Sequence, residues 1–173
     1  MREGFNRVIA VAAALLPLLF SCVRPSSDEV FVKASECNGQ GFFAFPVAMD
    51  DSSCTYSLSF IVPLACRDDV FESFAGTEAE VVLVAPSGQR YYETVSFGPQ
   101  ALSCHEWDRK TLSVPYREGL VPVEHGIWTM YVSLDEDFKK RYSLEGIGMS
   151  LVRRCEARRS PSAMDGRKWP LNL

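Results

Sequence analysis

Large apolar side chains recur at every second position along the segment 55–62 of this chain. A period of two places such residues on one face of an extended strand, whereas the apolar face of a helix repeats every 3.6 residues. The segment 55–65 is therefore predicted to be a β-strand with one face in a hydrophobic core. The recurring residues are Tyr56, Leu58, Phe60 and Val62.

Other segments have the same strand-like composition, rich in Val, Ile, Tyr, Phe or Trp. One segment, 135–142, begins with acidic residues and ends with basic ones, which predicts a short helix aligned with its own dipole. About eight strands without intervening helices indicate an all-β fold, a single antiparallel β-sandwich of the jelly-roll type. The further strand segments are 30–35, 42–47, 80–85, 91–97, 111–116, 127–134 and 147–153.

The overall composition narrows the class of protein. The chain has 173 residues, and 47% of them are hydrophobic, which is enough for one domain with its own core. This composition excludes both a disordered chain and a membrane protein with many spans. The 18 basic and 22 acidic residues include no clustered basic face, so we expect no nucleic-acid partner.

The N-terminus has the three parts of a secretory signal. Arg2 and Arg7 form a basic start, and 8–20 is an uncharged apolar run, too short for a bilayer span of about 18–20 residues. Ser21 precedes Cys22, an order similar to a bacterial lipobox, in which the cysteine is lipidated and becomes the new N-terminus. We therefore predict a signal peptide at 1–21 and acylation of Cys22, which would anchor the domain to a membrane.

Two segments have the composition of tethers rather than of folded structure. Residues 22–29 are rich in Pro, Ser and charge, which predicts a lipid-anchored tether. Residues 156–173 place basic side chains among Ser, Pro and Gly without periodicity, which predicts a flexible basic tail. The β-sandwich domain is accordingly predicted at 30–155.

The cysteines are typical of an oxidising compartment. With Cys22 lipidated, five remain, so at least one thiol stays unpaired. Cys54 and Cys66 flank one strand, which holds them about 40 Å apart and beyond the reach of a disulfide. If this strand and the next two form an antiparallel meander, Cys66 and Cys104 lie at the same edge of the sheet. This arrangement predicts a Cys66–Cys104 disulfide.

Candidate chemistry is sparse. The run from Cys104 to Asp108 (CHEWD) lacks the paired spacing of zinc ligands and is predicted to be a polar loop. Pro86-Ser87-Gly88 is typical of a hairpin turn rather than of a nucleophile elbow. A glycosidase needs a pair of acidic side chains, and adjacent acids in loops, such as Asp68 and Asp69, could form one. A hydrolase is therefore a further hypothesis. We predict no catalytic residue, no cofactor and no metal ion.

Aromatic residues suggest a different class of function. Tyr91, Tyr92 and Trp107 are predicted to form an exposed aromatic patch that would stack on polysaccharide. Trp128 alternates with Met130 and is assigned to the core. A surface carbohydrate-binding sandwich is therefore one hypothesis for the function. It is the alternative to a role in binding other proteins, which a resemblance described below implies.

Three features of the chain occur in a familiar order and spacing. They are Cys22 followed by a Val30-Phe31 strand, the run Tyr56-Ser-Leu-Ser-Phe-Ile-Val with Val81-Val-Leu-Val-Ala-Pro86-Ser-Gly88, and the closing Gly126-Ile-Trp-Thr-Met with Leu144-Glu-Gly146-Ile-Gly148-Met-Ser-Leu151. Together they resemble the GldH family of gliding-motility lipoproteins. The resemblance covers most of residues 30–153.

The resemblance implies a non-enzymatic lipoprotein of the bacterial outer membrane that works with other envelope proteins, in motility or in secretion. It implies no cofactor and supplies no catalytic residue. The membrane face that the domain occupies and the identity of its partner stay open at this point.

Overall fold

The structure is a computed structural model that describes residues 26–155. Within that range the chain forms nine β-strands, two short α-helices and two single turns of 3-10 helix. The strands are β1 (Ser26–Lys33), β2 (Phe42–Met49), β3 (Cys54–Leu64), β4 (Thr77–Val84), β5 (Arg90–Phe97), β6 (Leu102–His105), β7 (Lys110–Leu120), β8 (Gly126–Leu134) and β9 (Gly146–Cys155). The helices are α1 (Asp68–Phe71) and α2 (Glu136–Arg141).

The strands form two antiparallel sheets, in the orders β1-β9-β3-β7-β6 and β2-β8-β4-β5. Strands from the first half of the chain pair with strands from the second half: β1 with β9, β2 with β8 and β3 with β7, while β4 pairs with β5. A long hairpin rolled over on itself gives this pairing, which is that of a jelly roll. The predicted all-β sandwich is confirmed, with β6 added at one edge.

The core lies between the two sheets. The inward side chains of β3 are the alternating set found in the sequence, and each is at most 2% exposed. Phe60 packs against Phe97 of β5 in the other sheet, with ring centroids 5.9 Å apart. Phe45 of β2 and Trp128 of β8 are also buried, at 0% and 5% exposed. The assignment of Trp128 to the core is confirmed.

Two glycines near the end of the chain allow close packing of β9. A Cβ at Gly146 would overlap the carbonyl oxygen of Val32 and the ring of Phe31, both in the neighbouring strand β1. At Gly148 a Cβ would lie 3.3 Å from Cβ of Ile61 in β3. The Phe31 ring lies over both glycines, which compensates for the side chains that they lack.

The register defines two ends of the sandwich. Ser26 pairs with Arg153, Tyr56 with Leu120, and Met49 with Gly126, and these pairs share what we call the proximal end, where the described chain begins. Lys33 pairs with Gly146 and Leu64 with Lys110 at the opposite, distal end.

The structure differs from the sequence prediction at three elements. Strand β1 begins at Ser26, so residues 26–29 of the predicted tether belong to the sandwich. Their side chains are polar or charged and exposed, so the sequence shows no strand pattern there. An edge strand can be held by backbone hydrogen bonds to its neighbour alone. The short elements β6 and α1 were not predicted, since neither buries an apolar face.

The predicted helix is confirmed as α2. Asp135 caps its N-terminus, where the carboxylate accepts hydrogen bonds from the backbone N–H groups of Asp137 and Phe138. The predicted signal peptide at 1–21, the rest of the tether up to residue 25 and the basic tail at 156–173 lie outside the described residues. No helix among residues 26–155 is long and apolar enough to cross a bilayer.

Candidate functional site

The CHEWD run lies at the distal end, where Cys104 and His105 end β6 and the other three residues belong to the turn before β7. The register places His105 opposite Lys110, and Lys110 opposite Leu64 at the end of β3. Helix α1 follows β3 and brings Asp68 to the same place. Oδ1 of Asp68 lies 2.7 Å from Nζ of Lys110 and 2.7 Å from Nε2 of His105. We call these three residues the distal cluster.

Lys110 explains why the distal cluster exists. Its side chain has no exposed surface, and its ammonium group also donates to the carbonyl oxygens of Glu106 and Trp107. A buried ammonium group is stable only where acceptors replace its water shell. The cluster therefore ties α1 to the β6–β7 turn.

The ionisable groups at the distal cluster are engaged by partners or held in their less reactive form. Hydrogen bonds from Lys110 and then from His105 lower the pKa of the Asp68 carboxyl. Burial raises the pKa of the neighbouring Cys66 thiol, which keeps it in the weakly nucleophilic protonated form. The cationic partner of Asp68 is an ammonium group, and that of Asp69 is Arg67 at 3.2 Å.

We expect Asp68→Asn to destabilise the fold at neutral pH, because the change leaves the buried Lys110 ammonium without its carboxylate. The lowered pKa of Asp68 means that its stabilising effect is complete above the ordinary value of 3.8 and is lost as the pH falls through the folded-state value. Urea unfolding of the parent and of Asp68→Asn should therefore show a gap between their free energies of unfolding at neutral pH, and this gap should close in acid.

The matched control is the double variant Asp68→Asn with Lys110→Met, which removes the charge together with its partner. Replacing a buried ion pair by an apolar side chain of similar size is often neutral. The double variant should recover stability relative to Asp68→Asn. A gap that does not shrink as the pH falls through the lowered folded-state pKa of Asp68 would contradict the role given to its carboxylate.

The predicted Cys66–Cys104 disulfide is wrong. Cys66, Cys104 and Cys37 carry free thiols, whereas Cys54 and Cys155 are both disulfide-bonded. The strand after β3 joins the other sheet, so the assumed meander does not form. Instead β7 lies between β3, which Cys66 follows, and β6, which contains Cys104, so the two cysteines do not belong to neighbouring strands. Sulfurs in a disulfide are not thiolates, so Cys54 and Cys155 do not provide metal ligands together with Asp51.

The predicted aromatic patch is exposed but is not one patch. Tyr91, Tyr92 and Trp107 are 39%, 70% and 68% exposed. Tyr91 and Tyr92 are consecutive in β5 and therefore point to opposite faces of that strand. Trp107 lies in the β6–β7 turn of the other sheet, where the Arg67 guanidinium stacks over its ring.

Tyr92 instead belongs to a groove on the outer face of the second sheet. Tyr131 in β8 pairs with Val82 in β4, and Val82 pairs with Tyr92 in β5, which forms a row of outward side chains across three strands. Phe42 meets Tyr131 edge to face, with ring centroids 6.4 Å apart. We call the resulting depression of about 350 Å³ the outer groove. Its lining residues are Asn38, Gln40, Phe42, Val82, Val84, Arg90, Tyr92 and Tyr131.

The walls of the outer groove are ordered by local hydrogen bonds. Oδ1 of Asn38 accepts the backbone N–H groups of Gln40 and Phe42 at 3.0 and 2.9 Å, which holds the loop before β2 in place. Half-buried aromatic and aliphatic side chains form the floor, and the exposed side chains of Arg90, Asn38 and Gln40 also line the groove. A preformed surface of this composition can bind a protein side chain or a sugar ring.

Comparisons with known proteins add little to this geometry. No family model matches the chain, and no curated protein matches it. Among solved structures, the crystal structure of a protein from Sulfurospirillum deleyianum is similar with a TM-score of 0.35 and 8% sequence identity. The match covers 78% of this chain and 100% of that chain. A similarity this low supports no inference about function.

Proposed function

We propose that this protein is a lipid-anchored, non-enzymatic lipoprotein of a bacterial outer membrane, similar to the GldH lipoproteins, that acts by binding other envelope proteins. The signal-like N-terminus and Cys22 support the anchor. Strand β1 already includes Ser26, so part of the folded domain lies only four positions after Cys22 in the sequence. A domain held so close to a membrane is well placed to meet neighbouring membrane proteins.

The observation that carries the binding role is the outer groove. It combines half-buried Phe42, Val82 and Tyr131 with the strongly exposed Tyr92, and the exposed Arg90 also lines it. Tyrosine and arginine are the residue types that are enriched at protein interfaces and at their energetic centres. The floor is built on paired strands, so little ordering entropy would be lost on binding.

The same groove supports a carbohydrate-binding role less well. A sugar-stacking platform needs rings with open faces, and of the three rings in the groove Phe42 and Tyr131 are half-buried and meet edge to face. Tyr92 remains as one open ring, with Arg90, Asn38 and Gln40 as candidate hydrogen-bonding groups. This set makes a surface carbohydrate-binding lipoprotein the second candidate.

Photocrosslinking in native membranes tests the proposal. A photoreactive amino acid at position 90 should capture a defined envelope protein, whereas the same group at the exposed distal residue Glu72 should not. Adding Tyr92→Ala should weaken capture at least about tenfold, because truncating a central interface tyrosine often costs 2 kcal/mol or more. The Cys22→Ser chain should leave the membrane fraction and lose the adduct.

Three results would count against this function. Equal capture from positions 90 and 72 would show that the groove is not the contact surface. A membrane-bound Cys22→Ser chain would remove the lipid anchor from the proposal. Saccharide binding on a glycan array that Tyr92→Ala abolishes, without any protein adduct, would favour the carbohydrate-binding alternative.

A further inference from the structure

The loop between β7 and β8 is unusually apolar for a surface connection. It contains Val121, Pro122 and Val123, and the two valines are 60% and 78% exposed. We call residues 121–123 the apolar loop. Loops of soluble domains are usually polar, and a cluster of exposed apolar side chains indicates a surface that contacts something else.

The apolar loop borders a crevice that opens between the two sheets. Its volume is about 160 Å³, and Met49, Leu58, Leu83 and Trp128 are among the apolar residues that line it. Tyr91 forms a wall, with its ring centroid 5.9 Å from that of Trp128. A dry apolar cavity of about 150 Å³ is large enough for a benzene ring, so the crevice can hold an apolar group.

Hydrogen bonds hold the loop in its exposed position. Nε1 of Trp128 donates to the carbonyl oxygen of Glu124 at 3.0 Å. The Glu124 carboxylate in turn accepts the backbone N–H and the hydroxyl of Ser87 at 3.0 and 2.7 Å. The valines are therefore presented to solvent by a braced loop.

Several acidic groups near the crevice are engaged by partners. Glu93 accepts hydrogen bonds from the Tyr116 hydroxyl and from Arg117, both at 2.6 Å. Asp50 lies 3.6 Å from Arg153. Pairing of these carboxylates reduces their repulsion of an anionic surface.

The apolar loop lies at the proximal end, next to the point where the chain arrives from the anchor. Leu120, directly before the loop, pairs with Tyr56 at the same end as Ser26. Ser26 follows Cys22 by four Cα-to-Cα steps, and a fully extended chain of that length reaches about 14 Å. If Cys22 carries acyl chains, the proximal end must stay close to the lipid surface.

We propose that the apolar loop is a membrane contact surface, with its valines inserted at the boundary between lipid headgroups and acyl chains and the crevice open to an acyl chain. This inference rests on the lipid anchor of the proposed function. It assigns the proximal end to lipid and leaves the outer groove, on the side of the sandwich, free for a protein partner.

Fluorescence quenching by brominated lipids tests the contact on the full lipidated chain. Val123→Trp places a reporter in the apolar loop, and Glu72→Trp places a matched reporter at the exposed distal end. Both chains are reconstituted into vesicles of phosphatidylethanolamine and phosphatidylglycerol, with or without bromine on the acyl chains. The unsubstituted chain has three tryptophans, so its emission is measured in the same vesicles and subtracted from that of each variant. Insertion to a depth of 5–10 Å should quench the added emission at position 123 about twofold and leave that at position 72 unchanged.

Flotation of the vesicles distinguishes a failure of the lipid anchor from a failure of the membrane contact. Chains that float with the vesicles but show equal quenching at positions 123 and 72 would overturn the membrane contact and leave the lipid anchor intact. That result would make a protein partner the occupant of the loop. If the reconstituted chains do not float with the vesicles, both the lipid anchor and the membrane contact are overturned.

Discussion

Replacing Trp128 by alanine should lower the free energy of unfolding by about 3–5 kcal/mol, the usual cost of removing a large buried aromatic side chain. The indole is 5% exposed, lies between the sheets and packs against Tyr91. Its removal would leave a cavity and free the loop that its N–H holds through Glu124. Urea denaturation followed by circular dichroism would measure the change.

The matched control is Trp128→Phe, which keeps most of the apolar volume but loses the hydrogen bond to Glu124. Leaving a part-buried carbonyl group without its donor typically costs about 1–3 kcal/mol, so this variant should be less destabilised than Trp128→Ala. If Trp128→Ala costs less than about 1 kcal/mol, well below the usual range for such a truncation, the indole does not pack as described.

Removing the disulfide by Cys54→Ser should destabilise the domain by about 2–5 kcal/mol. Cys54 begins β3 and is buried, and both it and Cys155 are disulfide-bonded. A crosslink of this kind stabilises the fold largely by restricting the unfolded chain. The melting temperature of the oxidised variant, compared with that of the parent, would give the size of the effect.

Cys104→Ser provides the control, because Cys104 is exposed and carries a free thiol. Its melting temperature should match that of the parent. Adding a reductant should lower the stability of the parent to that of Cys54→Ser and leave Cys54→Ser itself unchanged. A parent that is insensitive to reductant would contradict a stabilising disulfide.

Most of the strands could be predicted because a strand with a buried face has a side-chain pattern that is visible within a few residues of the sequence. The alternation from Tyr56 to Val62 specifies which face of β3 is inward, and the charge order of 135–142 specifies α2. Edge segments whose side chains are almost all exposed have no such pattern. Ser26–Glu29 of β1 and the four residues of β6 are held by pairing with a neighbour, which their own side chains do not reveal.

The binding surfaces were harder to predict than the strands. Tyr92 was identified as exposed, but its groove partners Phe42, Val82 and Tyr131 come from three other strands. One signal was present in the run 81–84, VVLV, where both alternating positions are apolar and so neither face of β4 is purely polar. The apolar loop at 121–123 left an equally local sign, because two valines flank a proline where a polar turn is the norm.

The amino-acid sequence alone determined the all-β class, the inward faces of β3 and β8 and the short helix, because these depend on side-chain patterns within a few residues. Tertiary structure decided which sheet each strand joins. It therefore decided that Cys66 and Cys104 stay apart, that Lys110 is buried against Asp68, and that the apolar loop lies at the same end as Ser26. Strand order brings together residues far apart in the chain, and no local pattern encodes it.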